Sequence, residues 1–312
     1  MTDRQLKRVL VTDKLGEEGL RILKEAPGLQ VDVKTGLAPG DLAKIVGDYH
    51  ALAVRSATKV TSDILDAAHN LEAIGRAGIG VDNVDVPAAS RLGVVVMNTP
   101  EGSAVTTAEH GLALLLTLAR RVVAASASMK AGKWDKKRFM GTELSGKTLG
   151  IIGIGNIGAI VADRAQGLKM KVIAYDPFIA PDVAAKKGVE LVNDLGAFLP
   201  RCDFISIHTP LTKDTRHIIN KDAFSKMKDG VLIVNAARGG IIDEVDLCEA
   251  IKAGKVAGAA LDVWETEPPG ESPLLGLDQV VATPHLGAST EEAQLNVSVA
   301  VARQLVDFFA TG

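Results

Sequence analysis

The chain has 312 residues, 47% of them apolar and 23% charged, with 12 prolines; this excludes a disordered tail or a fibrous repeat and favours a globular protein of two packed units. Lys and Arg total 35 against 38 Asp and Glu, a formal charge of −3, so no global basic field exists to hold a nucleic acid and any phosphate contact must be local. Cys202 and Cys248 lie far from any Cys-x-x-Cys partner, which argues against a disulfide framework or a cysteine zinc site and for a reducing compartment.

The amino terminus, Met1 to Arg8, is charged, unlike a secretory leader, and the most apolar stretch, Gly111 to Ala119, is too short to span a bilayer. A cytoplasmic protein with no membrane partner is expected. Along the chain, RVLVT (8–12), ALAVRS (51–56), GVVVMN (93–98), LGIIGIG (149–155) and VLIVNAA (231–237) are short β-branched runs separated by helical patterns, which predicts parallel sheet with crossover helices. Runs such as Val94 to Met97 are apolar at consecutive positions, as in strands covered on both faces. From Glu101 to about Lys130 no proline occurs, and Val105, Ala108, Leu112, Leu115, Leu116 and Ala119 share a helical stripe. One long helix is predicted there, either bridging two domains or buried in a core. Ser289 and Glu292 have the spacing of a capping box and open a last helix through Val297, Ala300, Val301 and Leu305. No flexible linker, short repeat or low-complexity tract is present, so ordered elements must make any domain crossing.

Leu149 to Gly158 reads LGIIGIGNIG, an apolar strand running into Gly153, Gly155 and Gly158 and then a helical stretch. This is the dinucleotide fingerprint in its proper context: Gly153 for a tight turn, Gly155 for close approach of a pyrophosphate, Gly158 for helix–strand packing, with helix-terminal N–H groups facing the anion. Asp176 ends the next strand, KVIAYD, where a carboxylate takes the ribose hydroxyls and repels a 2′-phosphate; no arginine follows to reverse this. NAD is therefore expected over NADP. Because 148 residues precede the fingerprint, the nucleotide domain is expected to be inserted in another. The predicted class is α/β, with two Rossmann-like doubly wound parallel-sheet domains and an interdomain cleft. A substrate-binding domain takes 1–98 and 287–312, and an NAD-binding Rossmann domain takes 99–286.

Three segments, NAARGGIIDE (235–244), LDVWETEPP (261–269) and TPHLGAST (283–290), resemble the NAD-dependent D-isomer-specific 2-hydroxyacid dehydrogenases, and the resemblance extends over essentially the whole chain. It implies Arg238, Glu267 and His285 as the catalytic set. The chemistry suits these residue types: His285 as general base for a hydroxyl proton, Glu267 to orient the imidazole and favour its charged form, and Arg238 as a planar fork for the substrate carboxylate and C2 oxygen. The resemblance also implies cofactor contacts from Asn156, Ile157, Thr209, Pro210, Ala236, Ala237, Asp262, Gly287 and Ala288, and from Ile79 in the first domain. His208 is assigned to packing, and His50, His69, His110 and His217 belong to no motif. No metal is implied, since no two histidines sit at ligand spacing with a carboxylate.

VRSATKVT (54–61), GRAGIGVDNVD (75–85) and KRFMGTELSGKTLGI (137–151) narrow the resemblance to a branch whose three-carbon substrate ends in phosphate. Gly78, Ile79 and Gly80 would offer backbone N–H groups to the substrate carboxylate, and Arg55 and Arg76 would hold the distal anion. Lys136, Lys137 and Arg138, after Trp134, are placed by resemblance near a dimer contact, a solvated charge run being the other reading. A homodimer is expected, with pairing of dimers left open. Ser103 departs from the asparagine common in relatives, which bears on the choice of hydroxy acid. Many relatives in this branch continue into serine-binding regulatory domains; none occurs before Gly312, and serine feedback is not expected from these residues. Two other readings stay open: glyoxylate, hydroxypyruvate or D-lactate chemistry on the same machinery, and a non-catalytic NAD-sensing protein like the corepressors that share this fold.

Overall fold

A computed structural model describes residues 6–311; the first five residues of the amino-terminal stretch read above, and residue 312, lie outside the described residues. The chain divides into two compact units, Met1–Ala104 with Ala288–Gly312, and Val105–Gly287.

In the first unit, β1 (Lys7–Val11), β2 (Leu29–Val33), β3 (Ala51–Val54), β4 (Ala73–Arg76) and β5 (Val95–Asn98) form a parallel sheet in the order β2-β1-β3-β4-β5. The central β3 is buried throughout, as a continuous apolar run between helical layers requires. β5 departs from that expectation. It is an edge strand, so Val95 is 43% exposed although its neighbours in sequence are apolar.

The last helix, Glu291–Thr311, lays Val297, Val301 and Leu305 against Val9, Val11, Ala51, Ala53 and Ala73 of the sheet. Its cap is Thr290, whose Oγ1 accepts from Ala293 N at 3.2 Å, not the Ser289 of the expected capping box. The frame is shifted by one residue and places an alanine where the box needs a glutamate. Helix Glu17–Glu25 packs on the same helix so tightly that a Cβ on Gly19 would lie 2.5 Å from Ser298 O. Ser298 Oγ reinforces the crossing by accepting from Gly16 N at 2.9 Å.

In the second unit, β6 (Thr148–Ile152), β7 (Lys171–Tyr175), β8 (Glu190–Leu191), β9 (Phe204–Ile207), β10 (Val231–Asn235), β11 (Val256–Leu261) and β12 (Val280–Ala282) are again all parallel. Their order, β12-β11-β10-β9-β6-β7-β8, sends the chain outward first on one side of β6 and then on the other. The switch point between β6 and β9 is where α/β sheets of this kind bind ligands, beyond the carboxyl ends of the strands.

The single helix expected from Glu101 to Lys130 is instead two, Ala104–Ala119 and Val122–Lys130, bent by 63°. Arg121 between them has φ 54°, a left-handed backbone that cannot continue an α-helix. The exposed end is stabilised by Thr142 N, which donates to Ala119 O at 2.8 Å. The expected stripe is also rotated: Ala108, Leu114, Leu115, Leu118 and Ala119 are buried with Leu149 and Val161, whereas Val105 and Leu116 face outward. Among the described residues no single helix is long and apolar enough to cross a membrane.

Replacing Gly19 with alanine forces the two helices of the first unit apart, because the obstructing atoms are backbone. Urea unfolding is expected to show a loss of about 1–3 kcal/mol, against no loss for alanine at Gly40, where an added Cβ meets nothing within 4 Å.

Candidate active site

The glycine turn after β6 has a distinct physical reason at each position. Gly153 has φ +88°, and a Cβ there would lie 2.7 Å from His208 O; one on Gly158 would lie 2.1 Å from Gly153 O; one on Gly155 would meet nothing within 4 Å. The first and third glycines therefore close the turn on itself and on the end of β9, and the second leaves an open backbone face. Helix Asn156–Gly167 begins there with Gly155 as its N-cap and no side-chain cap, so the first-turn N–H groups, those of Asn156 and Ile157 among them, are available to an anion. Asp176, at the end of β7, accepts from Ile154 N at 2.9 Å and from Phe178 N at 3.0 Å, which fixes a carboxylate beside the glycine turn. These residues fit a bound NAD.

His208, Thr209 and Pro210 follow β9. His208 is more than filler: its Nε2 lies 2.8 Å from Ser206 Oγ, its Nδ1 is buried without a partner, and burial pushes its imidazole down to about 4. Burial thus favours the neutral ring, whose Cε1 lies 3.6 Å from where a Cβ on Gly111 would stand, while the His208 carbonyl meets the glycine turn.

Ala236, Ala237 and Arg238 follow β10. The side chain of Asn235, itself buried, spans this loop: its Oδ1 accepts from Ala237 N at 3.1 Å and its Nδ2 donates to Arg238 O at 2.9 Å. Arg238 Nη1 donates to Ala237 O at 2.6 Å. Gly239 must lack a side chain, because a Cβ would lie 1.8 Å from Trp264 O; the loops after β10 and β11 therefore touch backbone to backbone. On the second of them, Glu267 Oε1 accepts from Trp264 N at 3.2 Å while Oε2 lies 2.8 Å from His285 Nδ1.

His285 has φ +55°, and its loop is wrapped around Asp262. His285 N donates to Asp262 O at 2.8 Å; the fully buried carboxylate accepts from Leu286 N at 2.7 Å, Gly287 N at 2.8 Å and Thr283 Oγ1 at 2.6 Å. A further donor is His110 Nε2, 3.1 Å away. Burial raises the Asp262 carboxyl, but the bonds from His110, Thr283 and Leu286 N outweigh it and hold the group below the usual carboxylate range. Sequence reasoning gave Asp262 a cofactor contact and His110 no role. The structure makes both supports of the loop that presents His285.

In the first unit, Arg76 ends β4 and Arg55 directly follows Val54, its partner in β3, so both arginines leave the same end of one sheet on neighbouring strands. The expected backbone nest is incomplete at its first position. Gly78 N donates to Thr99 Oγ1 at 2.7 Å and is taken up within the chain, and Gly78 has φ +144°, a backbone that other L residues rarely adopt, with the Arg76 guanidinium folded over it. Ile79 O accepts from Asn98 Nδ2 at 2.6 Å. Ser103 is buried. Of the basic cluster, Arg138 is paired with Asp278. Ala288 O accepts from Gln294 Nε2 at 2.8 Å.

Residues 112–287 match the family described as D-isomer specific 2-hydroxyacid dehydrogenase, NAD binding domain. The chain is 52% identical over 301 residues to a D-3-phosphoglycerate dehydrogenase of Archaeoglobus fulgidus, covering 96% of this chain and 57% of that one; it spans about half the length of the curated relatives it matches. Among solved structures it is similar to a glyoxylate reductase from Paecilomyes thermophila, with TM-score 0.90 and 30% identity over 98% of this chain and 96% of that one. It is also similar to a D-lactate dehydrogenase from Aquifex aeolicus complexed with NAD and lactic acid, with TM-score 0.84 and 29% identity over 97% and 95%. The chain belongs to the D-isomer-specific 2-hydroxyacid dehydrogenases, and its second unit is their NAD-binding domain.

Proposed function

We propose that this chain oxidises 3-phospho-D-glycerate to 3-phosphooxypyruvate with NAD, the entry step of L-serine synthesis. The observation that carries the reading is the His285–Glu267 pair. A carboxylate only accepts, so His285 Nδ1 carries the proton shared with Glu267, and Nε2 of the neutral ring is the acceptor for the substrate hydroxyl proton. Glu267 is in turn fixed by Trp264 N, so the tautomer and the ring direction are both set before substrate arrives. Arg238 holds the carboxylate and stabilises the negative charge developing on the C2 oxygen. NAD, when bound, supplies the acceptor for the hydride leaving C2. Asp176 favours it over NADP, since a 2′-phosphate would place like charges together.

The choice of substrate within the family rests on Arg55 and Arg76, which give a positively charged end to the first unit's sheet, and on the likeness to phosphoglycerate dehydrogenases. The other D-2-hydroxy acids remain the alternative. A panel of 3-phospho-D-glycerate, D-lactate and D-glycerate with NAD and NADP decides between them. 3-Phospho-D-glycerate with NAD is expected to give the highest kcat/KM, and replacing both arginines with alanine is expected to raise KM for it far more than for D-lactate. His285→Ala is expected to lower kcat by about 10² to 10⁴ with the Kd for NAD kept within about threefold. Turnover surviving in that variant removes His285 from its role.

The chain acts as a homodimer in this reading, in a reducing cytoplasm suited to two buried free thiols. Support for the dimer comes from the segment after the helix break. Val122, Val123, Met129, Trp134 and Met140 are 50 to 83% exposed, and a groove of about 510 Å³ between Leu118, Val123, Met140, Leu275 and Val280 lies beside them. Large apolar side chains left exposed along one segment favour a contact there. Val123→Glu with Met140→Glu is expected to convert a dimer to a monomer in sedimentation velocity runs; a wild-type monomer would refute the assembly.

A further inference from the structure

We propose that Asp13 and Asn83 are specificity-determining positioning residues: together they clamp the loop that carries Arg55 and so fix where the distal anion of the substrate is held. The inference rests on the phosphorylated-substrate reading above.

The loop Arg55 to Thr58 leaves the end of β3 and folds around the carboxylate of Asp13, just beyond the end of β1. Asp13 is 7% exposed. Its Oδ2 accepts from Arg55 N at 2.5 Å and Thr58 N at 3.2 Å, and its Oδ1 from Thr58 Oγ1 at 2.9 Å. From the other side Asn83, on the loop after β4, donates its Nδ2 to both Arg55 O at 2.6 Å and Thr58 O at 2.7 Å. The two loops are zipped by a parallel bridge between Val60 and Val84. Both polar groups of the Arg55 backbone are therefore taken by side chains from different elements, and the peptide cannot turn without leaving Asp13 or Asn83 unsatisfied.

The arginine so anchored has donors to spare. Its guanidinium makes a long 3.4 Å contact to Lys14 O, and its Nε is buried without a partner. Burial lowers the guanidinium's pKa, which Asp13 offsets in part; an arginine nevertheless stays charged. A half-buried cation with an orphan donor is poised for an anion, and bidentate recognition of phosphate depends on the direction of the fork. A clamp on the backbone of Arg55 sets that direction. It acts on substrates with a distal anion and is indifferent to those without one.

The test is steady-state kinetics of the full chain with NAD, comparing 3-phospho-D-glycerate with D-glycerate, and a melting curve for every variant. Asp13→Ala and Asn83→Ala are each expected to raise KM for the phosphorylated acid about tenfold, with kcat and the KM values for NAD and D-glycerate within about twofold. Asp13→Asn is the rescue: its amide oxygen still accepts from Arg55 N and Thr58 N while its NH2 faces Thr58 Oγ1, so KM is expected to stay near the native value. Arg55→Ala separates the two levels of inference. If it fails to discriminate the substrates, the phosphorylated-substrate reading falls. If it discriminates while Asp13→Ala and Asn83→Ala do not, or while Asp13→Asn is as impaired as Asp13→Ala, the clamp is wrong and the reading stands.

Discussion

A charged carboxylate with no exposed surface must be surrounded by donors, and Asp262 meets that requirement with the loop that presents His285. Two energies compete in this loop. A non-glycine residue in the left-handed region costs about 1–3 kcal/mol, and His285 pays it at φ +55°. Removing the donors of a buried charge costs about 3–5 kcal/mol, and Leu286 N, Gly287 N and Thr283 Oγ1 are such donors. The second term exceeds the first, so the chain stays in its strained turn. The imidazole keeps one direction because the carboxylate beneath it cannot be left bare, and His110 adds a donor from helix Ala104–Ala119.

The parallel sheet explains why so many functional groups in the second unit share a level. Every strand of such a sheet ends on the same side, so the turns after β6, β7, β9, β10, β11 and β12 deliver Gly153, Asp176, Thr209, Arg238, Glu267 and His285 to one edge of the sheet. The turn after β6 and the end of β9 approach closely enough that Gly153 tolerates no side chain.

Much of this was legible in the amino-acid sequence wherever function demands a local pattern. The strand, the three glycines and Asp176 lie within one short stretch, and each glycine has a steric reason that can be reasoned out without coordinates. The assignment of Arg238, Glu267 and His285 as a catalytic set rests on resemblance, since nothing local about an arginine before two glycines declares chemistry. The long helix was misread because helical periodicity continues through Arg120 and Arg121; the break comes from a backbone flip and from Thr142 taking the Ala119 carbonyl, a contact between residues 23 apart in sequence. His110 and Asn235 were missed for different reasons. The partner of His110, Asp262, is set by tertiary packing, and a lone histidine on an apolar helix looks the same whether or not a carboxylate waits opposite; the partners of Asn235 are local, two and three residues on. An asparagine at the end of a strand gives only a weak signal, its capacity to bond nearby backbone.

The two units solve one problem in the same way. In each, an asparagine amide holds the carbonyl of an arginine assigned to substrate: Asn83 Nδ2 to Arg55 O at 2.6 Å, and Asn235 Nδ2 to Arg238 O at 2.9 Å. Arginine has a long side chain with about 2 kcal/mol of rotamer entropy, so uncertainty in its backbone is amplified at the guanidinium. Fixing the carbonyl removes the first source of that error without occupying any of the guanidinium donors. A carboxylate cannot serve a carbonyl, since it only accepts; Asp13 accordingly takes the Arg55 N–H instead. Asparagine is suited to the task because its amide donates to a carbonyl while carrying no charge of its own.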